Sequence, residues 1–405
     1  MKLIIDSQSN PMFLEDPSEQ AYDQRAGLCN AGEGDLVVTT NPFDPEYLAY
    51  WEGLGFTLPH LINAGPYEPG KCLSDLIAAK QSVQSAIAEL IKDPSQVSLE
   101  VFTVFPPEKQ LVDILGVSPY FNAEFGEIYG HKLNFKKLCK KIGIPGLPFV
   151  ELTSDTTWGD LEAALGGLSH IPTLPGFLAK GVYGTGGIAH GAMKRLHAPQ
   201  DLDSLPDGEF YVEPLIEIDQ EVSTHWEITD SGLVVPIGFF NQIAENTSYK
   251  GVSYPYVPLN GSEKSLETNT NILTSELAAL GGLGQMCCDV IESPDGQLFW
   301  SDLNVRKGAV YYIWSAVSKL PFLSGAPFAF MHKHMNGTKL GMSFSEVQKT
   351  LGSLLEPSSS GFVLITNPGI IQWGGIDLTA VVPNGDVAHA NNIFAQACKK
   401  LNLKV

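Results

Sequence analysis

The 405-residue chain has no apolar run of about 18 residues, the least a membrane-spanning helix needs, so no such helix is expected. Positive charge is also scarce. Lys and Arg number 25 against 45 Asp and Glu, a formal net charge of −20. That balance argues against a nucleic-acid backbone or an anionic membrane as the main partner. Any nucleotide the chain binds must meet a local cluster of cations. There are six cysteines, and none lies in a C-x-x-C pair, so reduced thiols in a cytoplasmic protein are expected. The opening Met-Lys-Leu-Ile-Ile stops at Asp6, which leaves no room for the apolar core of a signal peptide. Charged residues make up 17% of the chain, below the usual share of about 25%.

The chain is rich instead in apolar residues (44%), with 40 glycines and 27 prolines. This composition fits a compact protein with long, shaped loops, and the length fits two to three domains at roughly 150 residues each. Residues 1–120 alternate strand and helix signals. Asp35–Thr40 reads as a buried strand. Tyr47, Leu48, Trp51 and Leu54 share a helix face, and Leu73 to Ile91 reads as one amphipathic helix. Val97–Phe105 reads as a strand, stopped by Pro106-Pro107 before a helix from Glu108 to Leu115. The alternation predicts an open parallel sheet. Residues 121–341 form a second region. It is expected to hold a helix from His131 to Ile142 and strands at 147–152, 176–180, 210–214 and 221–229, with a hairpin turning at Pro294-Asp295-Gly296. Residues 342–405 are expected to form a small C-terminal element of strands, an Asn384-Gly385 turn and a last helix, joined through Pro357–Gly361.

Four stretches carry chemistry. Gly181 to Gly191 holds five glycines directly after Lys180, so backbone amides can approach an anion unobstructed. No G-K-[ST] ends it, so it is not a Walker A loop. Lys132 opens a helix with five lysines, of which Lys136, Lys137, Lys140 and Lys141 read as a solvated face. Phe210 to Val222 carries Glu213, Glu217 and Glu221 and is expected to break at Pro214, exposing backbone groups that could read an adenine edge. Asp289 lies in one arm of the hairpin; Asp302 and Asn304 leave the same face of the other, two residues apart. Two carboxylates and an amide oxygen suit Mg²⁺ bridging nucleotide phosphates. Arg306, two residues on, is expected to point the same way and to neutralise a transferring phosphoryl group. The aromatic and amide-rich segment Gly238–Tyr254, with Lys250, His225 and Trp226, is a candidate acceptor wall or an ordinary packed loop. Tyr311, Tyr312 and Trp314 read as core.

Taken together, Lys132, Lys180 with its glycine loop, Glu213 with Glu221, and Asp289…Asp302-x-Asn304-x-Arg306 resemble the ATP-grasp superfamily. The metal-ligand spacing is similar to that of its D-alanine–D-alanine ligase branch, and Gly143-Ile-Pro145 resembles the turn after the first lysine helix. The resemblance covers roughly residues 122–340. It implies an α/β fold in which an N-terminal open parallel-sheet domain (pre-ATP-grasp) precedes an ATP-grasp of two α+β subdomains clamping ATP, followed by the C-terminal element. It implies that Lys132, Lys180, Gly184, Gly186 and Gly187 hold ATP phosphates, that Glu213 and Leu215 sit at the adenine hinge, and that Glu221 binds ribose. Asp289, Asp302 and Asn304 would carry Mg²⁺. The middle metal ligand is usually Glu, and here it is Asp302. The hinge-to-ribose gap is one residue longer than in the D-alanine ligases, so Glu217 competes with Glu221.

The implied chemistry is a carboxylate–amine ligase working through an acyl phosphate, with Lys180 and Arg306 as catalytic residues, releasing ADP and phosphate. Small-molecule acids and amines are the implied partners, natural-product biosynthesis is a plausible setting, and homodimers are common in such ligases. Three alternatives stay open: the same chemistry with a carrier-protein thiol or a phosphorylated hydroxyl as product, a non-catalytic nucleotide-binding module, and a metal-free structural protein.

Overall fold

The computed structural model describes all residues except 167–170, 183–192, 246–247, 259–260, 324 and 405, and the side chains of Met12, Ala26, Glu245 and Ser248. The chain divides into two compact units. The first comprises Met1–Ala123, Gly251–Pro255 and Arg306–Val405; the second comprises Glu124–Lys250 and Tyr256–Val305.

The first unit holds a five-stranded sheet, ordered 60–63, 36–39, 2–5, 98–101, 118–119 and parallel throughout. Leu3, Ile5, Leu36, Val38, Leu99 and Val101 are apolar runs buried in its core, as a parallel sheet covered by helices requires. The expected helix over 73–91 is two helices, Leu73–Ala79 and Gln81–Leu90, because Lys80 adopts an extended conformation (φ −114°, ψ 98°). The strand before Pro106 is short (Ser98–Val101), and the helix begins at Pro106 itself. Proline suits a first helical turn, where no intrahelical N–H partner exists.

The tail belongs to this same unit. Strand Phe328–Asn336 pairs antiparallel with Gly375–Pro383, which pairs with Phe362–Ile365. Residues 251–254 pair with Phe328–Asn336 on its other side. Helix Val387–Lys400 is N-capped by the Asp386 side chain. The tail is tied to the N-terminal residues by polar and aromatic contacts. Tyr47 donates to the Ile365 carbonyl at 2.9 Å, and its ring meets that of Phe344 edge-on at 5.1 Å. Asn384 turns with φ +53°, as expected of Asn-Gly.

The second unit holds two antiparallel arrangements. One is a four-stranded sheet ordered 150–151, 210–216, 173–181, 194–196. The other runs Leu298–Asn304, Gly284–Glu292, Gln220–Ile228, Val234–Glu245. Trp226, Trp300, Met286 and Leu303 of the latter pack with Phe135 and Leu138 of helix Lys132–Ile142 and with Leu273 and Leu277 of helix Glu263–Ala279. Glycine at Gly143 ends the first of these helices in the left-handed conformation (φ +76°), a residue-specific stop. The strand expected to break at Pro214 does not: it runs on to Ile216. The register of the partner strand shifts between Thr173 and Phe177, next to the Phe177–Pro214 pair. The segment Gly238–Tyr254, weighed above as a loop, is mostly strand (Val234–Glu245 and Ser248–Tyr254).

All six cysteines are free and buried. Burial pushes the Cys29, Cys72 and Cys139 thiols up to about 12. No described helix is long and apolar enough to cross a membrane.

Candidate functional site

The hairpin builds the site. Asp289 stands opposite Asp302, and Cys287 opposite Asn304, so the two aspartates and Asn304 leave one face of the ladder. Between Asp289 and Val290 the register slips: Val290 pairs with Trp300, and Ser301 is the extra residue. Such a bulge re-aims neighbouring side chains. Here consecutive residues reach different cations. Ser301 Oγ accepts from Lys180 Nζ at 3.0 Å, while Asp302 Oδ2 meets Lys132 Nζ at 3.2 Å.

The cations come from two other elements. Lys132 is the first residue of helix Lys132–Ile142, and its backbone N–H donates to the Val182 carbonyl at 3.0 Å, which ties the helix start to the end of strand Thr173–Gly181. Lys180 lies in that strand, opposite Tyr211 and two residues from Leu178, the register partner of Glu213. Lys180 meets Glu213 Oε2 at 3.0 Å, and Lys136 pairs with Glu213 Oε1. All three are buried.

Lys136 therefore corrects the sequence expectation of a solvated lysine face. It lies one helical turn after Lys132, on the same side of the helix, and that spacing was the signal available. Lys137, Lys140 and Lys141 are outside this cluster; Lys137 pairs with Glu151 near the surface.

Electrostatics follow from this packing. Burial would raise the Glu213 carboxyl, but the charges of Lys136 and Lys180 hold it below its usual value. Burial would lower the Lys180 ammonium, but Glu213 and Asp302 keep it above its usual value. Burial would raise Asp302, but Lys132, Lys180 and Lys136 pull it well below the usual carboxylate range. Glu221 goes the other way. Burial and the nearby Asp289 charge raise it, against the pull of Lys180. Glu221 is thus within electrostatic reach of the cluster, whereas Glu217 is exposed beyond the strand end. Leu215 lies in strand Phe210–Ile216, two residues after Glu213.

Asp289 is held by two amides. Gln242 Nε2 donates to Oδ1 at 2.5 Å and Asn304 Nδ2 to Oδ2 at 3.1 Å. Gln242 was missed by sequence reasoning. It reaches the site because its strand pairs Gln242 with Glu221, a register no local pattern reveals. Asp302 Oδ1 is buried with no hydrogen-bond partner among the described residues. An orphaned carboxylate oxygen beside a second carboxylate suits a divalent cation. Among the described residues, no group of three or more His, Cys, Asp or Glu side chains is gathered as a metal site. The trio therefore offers two carboxylates and an amide.

The remaining expectations divide. Gly184, Gly186 and Gly187 lie outside the described residues. Arg306 was expected to share the Asp302 and Asn304 face, but the strand ends at Asn304, so the alternation argument does not reach it. Arg306 belongs to the first unit, where its guanidinium donates to the Lys307 carbonyl at 3.0 Å and lies 5.2 Å from the Phe102 ring centre. Trp226 is wholly in the core, and His225 is buried with its Nε2 2.8 Å from Ser223 Oγ. Tyr312 is buried, as expected.

No protein-family model matches the chain, and no curated protein matches it. Solved structures do. Biotin carboxylase from Campylobacter jejuni, in a complex with a β,γ-ATP compound, is similar with a TM-score of 0.60 and 15% identity, covering 100% of this chain and 91% of that one. N5-carboxyaminoimidazole synthase from Aspergillus clavatus, bound to ADP and 5-aminoimidazole ribonucleotide, gives a TM-score of 0.58 at 13% identity, covering 99% and 98%. N5-carboxyaminoimidazole ribonucleotide synthetase from Thermotoga maritima gives 0.55 at 15% identity, covering 100% and 98%. At these identities the likeness establishes the fold.

Proposed function

From the ATP-grasp fold of this chain we propose an ATP-dependent ligase that joins a small carboxylic acid to an amine and releases ADP and phosphate. One observation carries the reading: Lys132, Lys136 and Lys180, from a helix and a strand, converge on the hairpin bearing Asp289, Asp302 and Asn304. In a chain of net charge −20, three convergent lysines beside paired carboxylates are what a metal–triphosphate needs.

Lys132 and Lys180 would bind phosphate oxygens, helped by the glycine run that follows Lys180 and includes Gly184, Gly186 and Gly187. Glu213 keeps Lys180 charged and in place. The strand holding Glu213 and Leu215 supplies the adenine hinge, and Glu221, within reach of the cluster, binds ribose. Asp289, Asp302 and Asn304 would hold Mg²⁺, which supplies charge neutralisation to the phosphates when bound. The acid oxygen attacks the γ-phosphorus and the bond to ADP breaks, giving an acyl phosphate. The amine then attacks the acyl carbon, and phosphate leaves with the C–O bond electrons. Arg306 is assigned the acyl phosphate on its sequence position, two residues past Asn304. No protein nucleophile is required.

A second reading takes bicarbonate as the acid and carboxylates an amine nitrogen. The favouring observation is that the similar structures named above are carboxylating enzymes by name. A phosphate-release screen over acid and amine pairs with MgATP, with labelled bicarbonate as one acid, separates the two. Amine-dependent ADP release with an organic acid supports the first, and label fixed only from bicarbonate supports the second. ATP binding without turnover under every pair would leave a nucleotide-binding module.

A further inference from the structure

The first unit holds a buried arginine with no hydrogen-bond acceptor among the described residues. Arg25 lies in helix Asp23–Asn30 and is 7% exposed. Its guanidinium carbon is 4.4 Å from the Tyr22 ring centre and 4.6 Å from that of Tyr312. Stacked rings satisfy the faces of a guanidinium, but its five N–H donors point outward in its plane. Among the described residues none accepts from it: Nε is buried without a partner, and no carboxylate lies within ion-pair distance. Lys307, equally buried in the same unit, is met by Asp6 at 3.2 Å and Glu100 at 3.1 Å. The fold gives one buried cation two carboxylates in direct contact and the other only ring faces and the fields of Asp377 and Asp6, so the guanidinium N–H donors have no acceptor among the described residues.

The surroundings narrow the anion. Asp6 and Asp377 lie close enough to act on Arg25 electrostatically without touching it. Asp377 meets His334 Nδ1 at 2.9 Å through Oδ1 and keeps its buried Oδ2 without a partner, while Asp6 is met by Lys307 and the Tyr312 hydroxyl. Glu19, half-buried, also faces Arg25 and Asp377. A doubly charged phosphate would be repelled by three acids here. A singly charged carboxylate attached to an ammonium would satisfy both signs at once.

We propose that Arg25, with the unpartnered oxygen of Asp377 and the neighbouring charge of Asp6, forms a binding site for a free α-amino acid, its carboxylate on the guanidinium and its ammonium on Asp377. That this amino acid is the amine substrate rests on the ligase reading; that it binds does not.

Titration calorimetry on the full chain without nucleotide tests the site, using the protein amino acids, their amides, their N-acetyl forms and inorganic phosphate. At least one free amino acid should bind. Its amide and its N-acetyl form should each bind about tenfold more weakly or worse. Arg25→Met should lose the binding, and Arg25→Lys should keep part of it. Asp377→Asn should abolish the preference for the free ammonium over its acetylated form. The comparison of ligand forms needs no variant and so survives one that misfolds. Absence of binding by every amino acid, an amide that binds as well as its acid, or binding of phosphate alone overturns the site. Phosphate release with MgATP is measured separately: amino-acid binding without it keeps the site and rejects the ligase, and release without amino-acid binding does the reverse.

Discussion

Lys180 Nζ stands 3.0 Å from Glu213 Oε2, with both side chains almost wholly removed from water. Neither residue is adjacent in sequence to the other; neighbouring antiparallel strands bring them together. The pair is two members of a triad, since Lys136 takes the other Glu213 oxygen. Two ammonium groups on one carboxylate leave an excess of positive charge, directed at Ser301 and Asp302.

Removing Glu213 should therefore damage the fold before the chemistry. Glu213→Gln strands two buried ammonium groups, and removing one partner from a buried ion pair costs about 3–5 kcal/mol. Denaturant midpoints of wild type and variant check this. A loss below about 1 kcal/mol would mean that the three groups are solvated in solution.

Lys180→Ala should raise the nucleotide concentration needed for half-saturation by about tenfold or more, since a cation proposed to bind phosphate is lost. Lys136→Met should weaken nucleotide binding less and stability more, because Lys136 acts through Glu213. Nucleotide titration and chemical denaturation of both variants give the comparison. A normal ATP dependence for Lys180→Ala would count against its phosphate role.

Asp302→Ala and Asn304→Ala should each abolish magnesium-dependent turnover while the circular dichroism spectrum stays that of wild type. Asp302→Ala also frees Lys132, so its residual nucleotide binding should no longer respond to magnesium. Unchanged activity in either variant contradicts the metal role.

Stability should respond to acid in two opposed ways. Glu213 and Asp302 have folded-state pKa values below their unfolded ones, and Glu100 is pulled down to about 2 by Lys307 and Lys2 against the effect of burial. The unfolded chain then binds more protons, so their contribution is complete above the ordinary glutamate value of 4.5 and is lost as pH falls below it. Asp23 is opposite: burial raises it to about 7, although Oδ2 accepts from the Thr40 N–H at 2.6 Å. The folded chain binds the extra proton, so stability falls as pH rises from 3.8 towards about 7. Asp23→Asn should flatten that second slope in pH-dependent thermal unfolding and leave the acid limb unchanged.

Much of the candidate site is legible in local spacing. Asp302 and Asn304 two apart on a strand, Asp295-Gly296 at the hairpin turn and Lys180 before a glycine run are local patterns. Lys136 was hidden in a lysine-rich helix, where composition suggested solvent and only the four-residue step from Lys132 suggested otherwise. Ser301 and Gln242 depend on the bulge and on strand register, which are properties of pairing between distant segments. Pro214 looked like a break, whereas the register shift lies in the partner strand. Arg306 failed the alternation argument because the strand ends at Asn304. Arg25 carried no signal at all, since its isolation from carboxylates is a fact of three dimensions.

The lysine cluster and the hairpin carboxylates are together proposed to hold a metal–triphosphate. Calorimetric titration of a non-hydrolysable ATP analogue into the full chain, with and without magnesium, tests it most directly. Saturable binding that strengthens with magnesium in wild type, loses that response in Asp302→Ala and weakens in Lys180→Ala is the expected result. Absence of binding, or binding indifferent to magnesium and to both substitutions, would contradict it.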